Sequence, residues 1–298
     1  MARPKQAQPR ATGKPNLAGR ARILLEIRSR TDRLQRALTA FVRQPIDFCG
    51  MLASNLRQRP VKPYLCDSRW EAELHTQLGQ PQPCAAVQAF WPLWEQVLAE
   101  MTSRGVKTGP MSYSGWNDGD PGLTRAIWCL IHHLSASQVV ETGVAPGVTS
   151  RFVLEALQRK GGGRLWSIDV PPLPLPELYQ EIGVAVPDAL RTDWTLIRGS
   201  SRRRLPALLD TTRPIDLFIH DSLHTTENVL FELRRVWPHV RAGGAVVVDD
   251  VDINDGFRIF VAETVLARSW VCEAEPIRPD DRRSNNKGMF GIILKQAI

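Results

Sequence analysis

Glu141-Thr-Gly143-Val-Ala-Pro-Gly147 joins a carboxylate to two glycines four residues apart, and Thr149 follows at the start of a helical pattern. Glycines at a strand-to-helix turn let backbone approach a ligand, and the helix N-terminus offers free N–H groups. The spacing is not G-x-G-x-x-G. A carboxylate at 141 repels a pyrophosphate but suits a cationic ligand. A glycine turn with no ligand would account for Gly143 and Gly147, though not for Glu141. Ser167-Ile168-Asp169 ends the next apolar run, where an acidic side chain can accept both hydroxyl protons of a ribose. A helix cap or a solvated strand-end carboxylate is the plain alternative. Gly199-Ser200-Ser201 ends the third run, where a nucleoside base would be bracketed; an ordinary N-cap explains Ser200 almost as well.

A ribose acceptor beside a site for a positive group favours S-adenosylmethionine (SAM) over a nicotinamide dinucleotide. Two further segments bear on the reaction. His220-Asp221-Ser-Leu-His224 ends a fourth run, and Asp249-Asp250-Val-Asp252 a fifth. In a parallel sheet Asp221, Asp249 and Asp250 emerge at the same carboxyl edge as the glycine turn, the edge at which open α/β sheets bind ligands. Three carboxylates converging there repel unless a cation joins them, and a hard, oxygen-liking ion such as Mg²⁺ is the natural candidate. Any one of them alone is an ordinary strand-end cap. His224, three residues past Asp221, faces the same mouth and could take a proton from a substrate hydroxyl. It could equally be a polar partner of Asp221. His220 reads as buried, and His75, His132, His133 and His239 show no partner pattern.

The elements that must position these residues are strands at about 138–142, 164–169, 194–198, 215–220 and 245–249. They are short, apolar and β-branched, as buried parallel strands should be. Helices fall near 148–160, 201–210, 223–240 and 254–268, and Trp270–Ile277 with Met289–Leu294 suit a terminal antiparallel pair. Asp120-Pro121 reads as an N-cap and first helical proline before Leu123, Ile127, Leu130, Ile131 and Leu134. Upstream, Val87, Phe90, Trp91, Trp94, Val97, Leu98 and Met101 form an apolar stripe at helical spacing. Pro92 within it predicts a kink or a later helix start. The stripe could wall a pocket, although packing is the commoner use. Residues 1–20 read as a disordered basic arm and 21–110 as a helical cap and linker. A basic amphipathic helix spans Arg22 to about Val42, and 111–298 is the catalytic domain.

The net charge of +7 resides in the arm. Residues 1–36 hold ten Lys/Arg against Glu26 and Asp32, leaving 28 basic and 29 acidic residues over 37–298. A body at −1 does not offer the basic groove of a nucleic-acid enzyme. Hydrophobic residues at 43% and charged residues at 23% exclude a mostly disordered chain. The five cysteines Cys49, Cys66, Cys84, Cys129 and Cys272 form no C-x-x-C pair and lack a nearby histidine at zinc spacing. They read as reduced thiols, pointing to the cytoplasm. No apolar run approaches the roughly 20 residues that span a bilayer. Glu26 and Arg28 break up the only candidate signal core, Ile23–Ile27.

Together these residues resemble the class I SAM-dependent methyltransferases, especially small-molecule O-methyltransferases related to catechol O-methyltransferase and to macrolide-sugar methyltransferases. The resemblance covers roughly residues 120–298. Glu141-x-Gly143-x-x-x-Gly147 matches the family's first SAM motif, Asp169 its ribose acid, and Gly199-Ser200-Ser201 its adenine-side turn. Arg241-Ala-Gly243-Gly244-Ala-Val-Val-Val-Asp249-Asp250 matches its Gly-Gly-to-strand-five segment. The resemblance implies a Rossmann-like, mostly parallel seven-stranded sheet with an antiparallel last strand and a helical N-terminal cap. It implies SAM as cofactor, Mg²⁺ on Asp221, Asp249 and Asp250, and a small-molecule hydroxyl as acceptor. His224 stands where the catechol enzymes place a lysine base, as in the sugar-type relatives. A homodimer through the N-terminal helices is compatible with this reading. An RNA- or protein-directed methyltransferase using the basic arm, and a non-catalytic SAM-binding partner domain, are the alternatives.

Overall fold

Seven short runs of valine, isoleucine, leucine and phenylalanine pair into one sheet in the computed structural model of the chain. The structure describes residues 37–42, 44–58, 60–105, 119–170, 179–212, 214–265, 267–275 and 288–296. The basic arm and most of the Arg22–Val42 segment lie outside the described residues; 37–42 are helical. The strands are β1 (Gln138–Thr142), β2 (Arg164–Asp169), β3 (Trp194–Arg198), β4 (Ile215–His220), β5 (Val240–Val248), β6 (Ala267–Glu273) and β7 (Met289–Lys295). Their order is β3-β2-β1-β4-β5-β7-β6. The first five run parallel, and β7 is antiparallel to both β5 and β6.

Alternation along each strand divides the core between two faces. Val139, Leu217, Ile219, Ala245 and Val247 face one helical layer. Val140, Phe218, Val246 and Val248 face the other. All six residues of β4 are buried, which is why it reads as an unbroken apolar run. The helices are α1 (Pro45–Leu56), α2 (Trp70–Gln77), α3 (Ala85–Ser103), α4 (Pro121–His133), α5 (Val148–Arg159), α6 (Ser201–Thr211), α7 (Thr226–Val236) and α8 (Gly256–Glu263). Asp120 caps α4 as expected, its side chain accepting from the Gly122 N–H at 2.8 Å ahead of Pro121.

Four expectations need correction. Strand β5 begins at Val240 rather than 245, because Val240 pairs with Ile215 before the register shifts to Leu217–Ala245. The helix expected over 223–240 covers only Thr226–Val236: Thr225 caps its start, and Trp237–His239 tighten into a 3₁₀ turn before β5. Helix α8 ends at Glu263, where Thr264 turns extended and β6 follows from Ala267. Helix α3 starts at Ala85 and runs through Pro92. Its aromatic stripe packs rather than lining a pocket, with Phe90 stacked on Trp94 and both in contact with Phe152 of α5.

Candidate active site

Strand register alone brings the chemistry-bearing residues to one edge. Glu141 lies level with Ser167 and Ile219, Thr142 with Ile168 and His220, and His220 with Val248. Backbone bonds then continue the ladder past the strand ends. Gly143 N–H donates to Ile168 at 2.9 Å, Asp221 N–H to Thr142 at 2.7 Å, and Asp249 N–H to His220 at 2.8 Å. Asp169, Asp221, Asp249 and Asp250 are thereby fixed beside the glycine loop, each half-buried.

Within that loop Gly143, Ala145 and Gly147 all have positive φ. A Cβ at Gly143 would sit 1.8 Å from the Asp221 carbonyl oxygen, so glycine is needed there by the neighbouring strand end. Gly147 heads α5 with φ 87° and presses on Gly183, whose N–H donates to Ala145 O at 2.9 Å. Thr149 is half-exposed on the first turn of α5. Asp169 Oδ2 accepts from the Ala145 N–H at 2.9 Å, clamping the loop to the end of β2. Burial pushes the Asp169 carboxyl up to about 6 against the opposing pull of the Ala145, Val144 and Val170 N–H groups.

Glu141 is fully buried. Its Oε2 accepts from Ser150 and Ser167, both at 2.6 Å, while Oε1 has no hydrogen-bond partner among the described residues. Burial raises its carboxyl to about 7. Gly199 has φ 138°, the Ser200 hydroxyl donates to Asp47 Oδ1 at 2.6 Å, and Ser201 bonds the Glu232 side chain. Ser200 therefore has helix-cap backbone angles without capping α6.

His224 is buried, and its Nε2 lies 3.7 Å from Asp221 Oδ1 and 3.7 Å from Asp250 Oδ2. Its imidazole thus stands between carboxylates from two strand ends. Beneath it, His220 Nδ1 lies 2.6 Å from Glu232 Oε2, and the two histidine rings meet edge-to-face at 5.6 Å. Glu232 also accepts from Thr142, Ser222 and Asn228. Burial alone would raise its carboxyl, but the attraction of His220 and these bonds outweigh that and hold it at about 2. The three aspartates have the hard oxygen donors that Mg²⁺ takes. Among the described residues, however, their oxygens do not form a set lying within 4.8 Å of one another.

Two groups here carried no sequence signal. Glu232 lies a helix away from His220, and Asp47 lies in α1, far upstream. That stretch runs along the carboxyl edge: Gln44 donates to Tyr179, Asp47 accepts from Ser200, Ser54 bonds Thr225, and Gln58 donates to Ile253 O. The surface contact of this stretch is the Arg57–Glu227 ion pair at 3.2 Å, with both side chains exposed, whereas the Asp47 side chain that meets Arg203 at 3.3 Å is nearly buried.

Comparison with known proteins agrees with this arrangement. Residues 140–251 match the family model described as a methyltransferase domain. Among solved structures the chain is similar to an O-methyltransferase from Bacillus cereus in complex with SAH, at 15% identity and TM-score 0.51, covering 68% of this chain and 90% of that one. It is also similar to a candidate O-methyltransferase from Klebsiella pneumoniae, at 14% identity and TM-score 0.51, covering 77% of this chain and 97% of that one. At these identities the likeness shows the fold. No curated protein matches the sequence significantly. No helix among the described residues is long and apolar enough to cross a membrane.

Proposed function

We propose that this chain is a class I SAM-dependent methyltransferase that moves the methyl group to a hydroxyl of a small molecule, a reading supported by the methyltransferase domain matched over residues 140–251. The observation that supports this reading is the gathering on one sheet edge of Asp169, clamped to the glycine loop, and His224, set between Asp221 and Asp250. The catalytic domain is taken as residues 111–298, with 1–20 as the arm and 21–110 as the cap.

SAM supplies a methyl group on a positively charged sulfur. Asp169 fits its ribose, since this half-buried strand-end carboxylate, held by the Ala145, Val144 and Val170 N–H groups, has about four lone-pair sites and so one more with which to accept a hydroxyl proton. Glu141 fits the ammonium end, because its Oε1 is a buried acceptor without a partner among the described residues. Gly143 and Gly147 shape the loop, Thr149 adds a hydroxyl at the start of α5, and the Gly199-Ser200-Ser201 turn borders the base. His224 takes the proton from the acceptor hydroxyl, and Asp221 and Asp250 stabilise the imidazolium that forms. Placement of the oxygen in line with methyl and sulfur supplies much of the remaining acceleration. Asp221, Asp249 and Asp250 would have to draw closer together to hold a divalent cation such as Mg²⁺, whose chemistry is to lower the pKa of a bound hydroxyl.

A homodimer through the N-terminal helices belongs to the same reading. Leu38, Phe41, Val42, Ile46, Leu52 and Leu56 are all exposed, which supports it. Methyl-labelled SAM incubated with the purified chain and a panel of hydroxyl metabolites tests the function. Label on a small-molecule oxygen is the expected result. Label found only on RNA or protein, or SAM bound with no transfer to any class of acceptor, would overturn it.

A further inference from the structure

Four side chains far from the carboxyl edge meet in a way that methyl transfer does not use. His75 of α2, Cys84 just ahead of α3, and Cys129 and His133 of α4 each offer one donor atom, and all four atoms lie within 4.8 Å of one another. This corrects the expectation that the cysteines lack histidine partners and that His75 and His133 have none. The only local hint was Cys129-x-x-x-His133, which puts both donors on one helical face. His75 and Cys84 join them through tertiary packing.

The distances suit a tetrahedral ion. His75 Nε2 and His133 Nε2 lie 3.2 and 3.1 Å from Cys84 Sγ, and the two sulfurs are 3.9 Å apart. Bonds of about 2.3 Å to sulfur and about 2.0 Å to nitrogen at tetrahedral angles put S···S near 3.8 Å and S···N near 3.5 Å. A shift of a few tenths of an ångström in the imidazoles therefore completes the geometry. One imidazole is already oriented for it. His75 Nδ1–H donates to the Glu71 carbonyl at 2.7 Å, which leaves Nε2 as the lone-pair nitrogen facing the sulfurs. The nearby Glu71 carboxylate is engaged by Arg125 at 2.9 Å, so it does not compete as a ligand.

We propose that His75, Cys84, Cys129 and His133 form a structural zinc site that fastens the N-terminal cap to the methyltransferase domain. Two sulfurs and two imidazoles select zinc over the hard cations suited to carboxylates. His75, Cys84 and Cys129 are each about 1% exposed, and four protein ligands leave no open position. Both features describe a structural ion rather than a catalytic one. Location agrees, because His133 precedes the amino end of β1 whereas Asp169 ends β2 and Asp221 follows the carboxyl end of β4. The two thiols bind as thiolates, releasing their protons on metal uptake. This inference does not depend on the proposed function.

Metal analysis of the full-length protein, purified under reducing conditions without chelator, should give about one zinc per chain. Cobalt(II) in place of zinc should show visible bands of tetrahedral intensity together with thiolate-to-cobalt absorption. Cys129→Ala should lose the metal, while His133→Cys, which keeps four ligands, should retain it and guard against simple misfolding. Asp221→Ala should leave zinc content unchanged. Zinc below a tenth of an equivalent with no cobalt spectrum would overturn the proposal, leaving a thiol–imidazole hydrogen-bond cluster. A Cys84–Cys129 disulfide in the freshly purified protein, or full zinc in Cys129→Ala, would overturn it as well.

Discussion

The Ser200 hydroxyl donates to Asp47 Oδ1 at 2.6 Å, tying the turn after β3 to α1 across 153 residues of sequence. This bond commits a side chain that was expected to border the cofactor's base, with Ser201, or to cap α6. Asp47→Ala and Ser200→Ala should each destabilise the chain by about 1 kcal/mol, the net worth of a typical hydrogen bond. The double variant should cost no more than either single one, as contacting partners are not additive. Denaturant midpoints check this, and SAM affinity in Ser200→Ala should stay within about twofold of wild type. Additive losses would show that the two residues act separately.

Asp169 sets a pH dependence for cofactor binding. Its carboxyl is raised to about 6, chiefly by burial, so it gains a proton as the pH falls through that value. A protonated carboxyl donates where a ribose needs an acceptor. SAM affinity measured by calorimetry should therefore fall between pH 8 and 5. Asp169→Asn should bind roughly tenfold or more weakly, from the loss of charge-assisted hydrogen bonds, and should lack this pH slope.

Glu141 gives the opposite kind of readout, on stability. Burial raises its carboxyl to about 7 from an ordinary 4.5, so the folded chain holds this proton more tightly than the unfolded chain. The resulting stability is present below about pH 4.5 and is lost as the pH rises through 7. A shift of this size corresponds to roughly 3 kcal/mol at most. Unfolding midpoints from pH 5 to 8.5 should decline more in wild type than in Glu141→Gln, which mimics the protonated acid. Parallel profiles would show that Glu141 is ionised in the fold.

What was legible in the sequence followed from local pattern. Ile215–Ile219 and Ala245–Val248 read as parallel strands because both of their faces are buried, and parallel strands put Asp169, Asp221 and Asp249 on one edge. What was not legible depended on contacts between distant elements. Val240 joins β5 through its pairing with Ile215, ahead of a register shift that no periodicity marks. Glu232 is a helix-face acid like any other until the fold buries it under His220. His75 and Cys84 lie on separate elements and meet Cys129 and His133 only when α2 and α3 pack on α4. Gly143 was legible as a turn glycine, but its closest contact was not. Its missing Cβ makes room for the Asp221 backbone, so a larger residue there displaces the end of β4 along with any cofactor contact.

The separation of base from metal rests on His224. Its Nε2 is 3.7 Å from an oxygen of each flanking aspartate, close enough for either to stabilise a proton held on the ring. His224→Ala should lower methyl transfer by about 10²–10⁴-fold, the usual worth of a positioned general base. SAM affinity should change little, because the residues proposed to hold the cofactor lie on β1, β2 and the segments that follow β1 and β3, not after β4. Asp221→Ala and Asp249→Ala should abolish transfer if a divalent cation is required. EDTA should then silence the wild type, and Mg²⁺ should restore it. Zinc lost from the distant sulfur site during that treatment would not be replaced by Mg²⁺, so recovery on Mg²⁺ alone assigns the effect to the carboxylates. Full activity in EDTA alongside a large loss in His224→Ala would instead give a metal-free reaction, with Asp221 and Asp250 serving to hold the protonated imidazole.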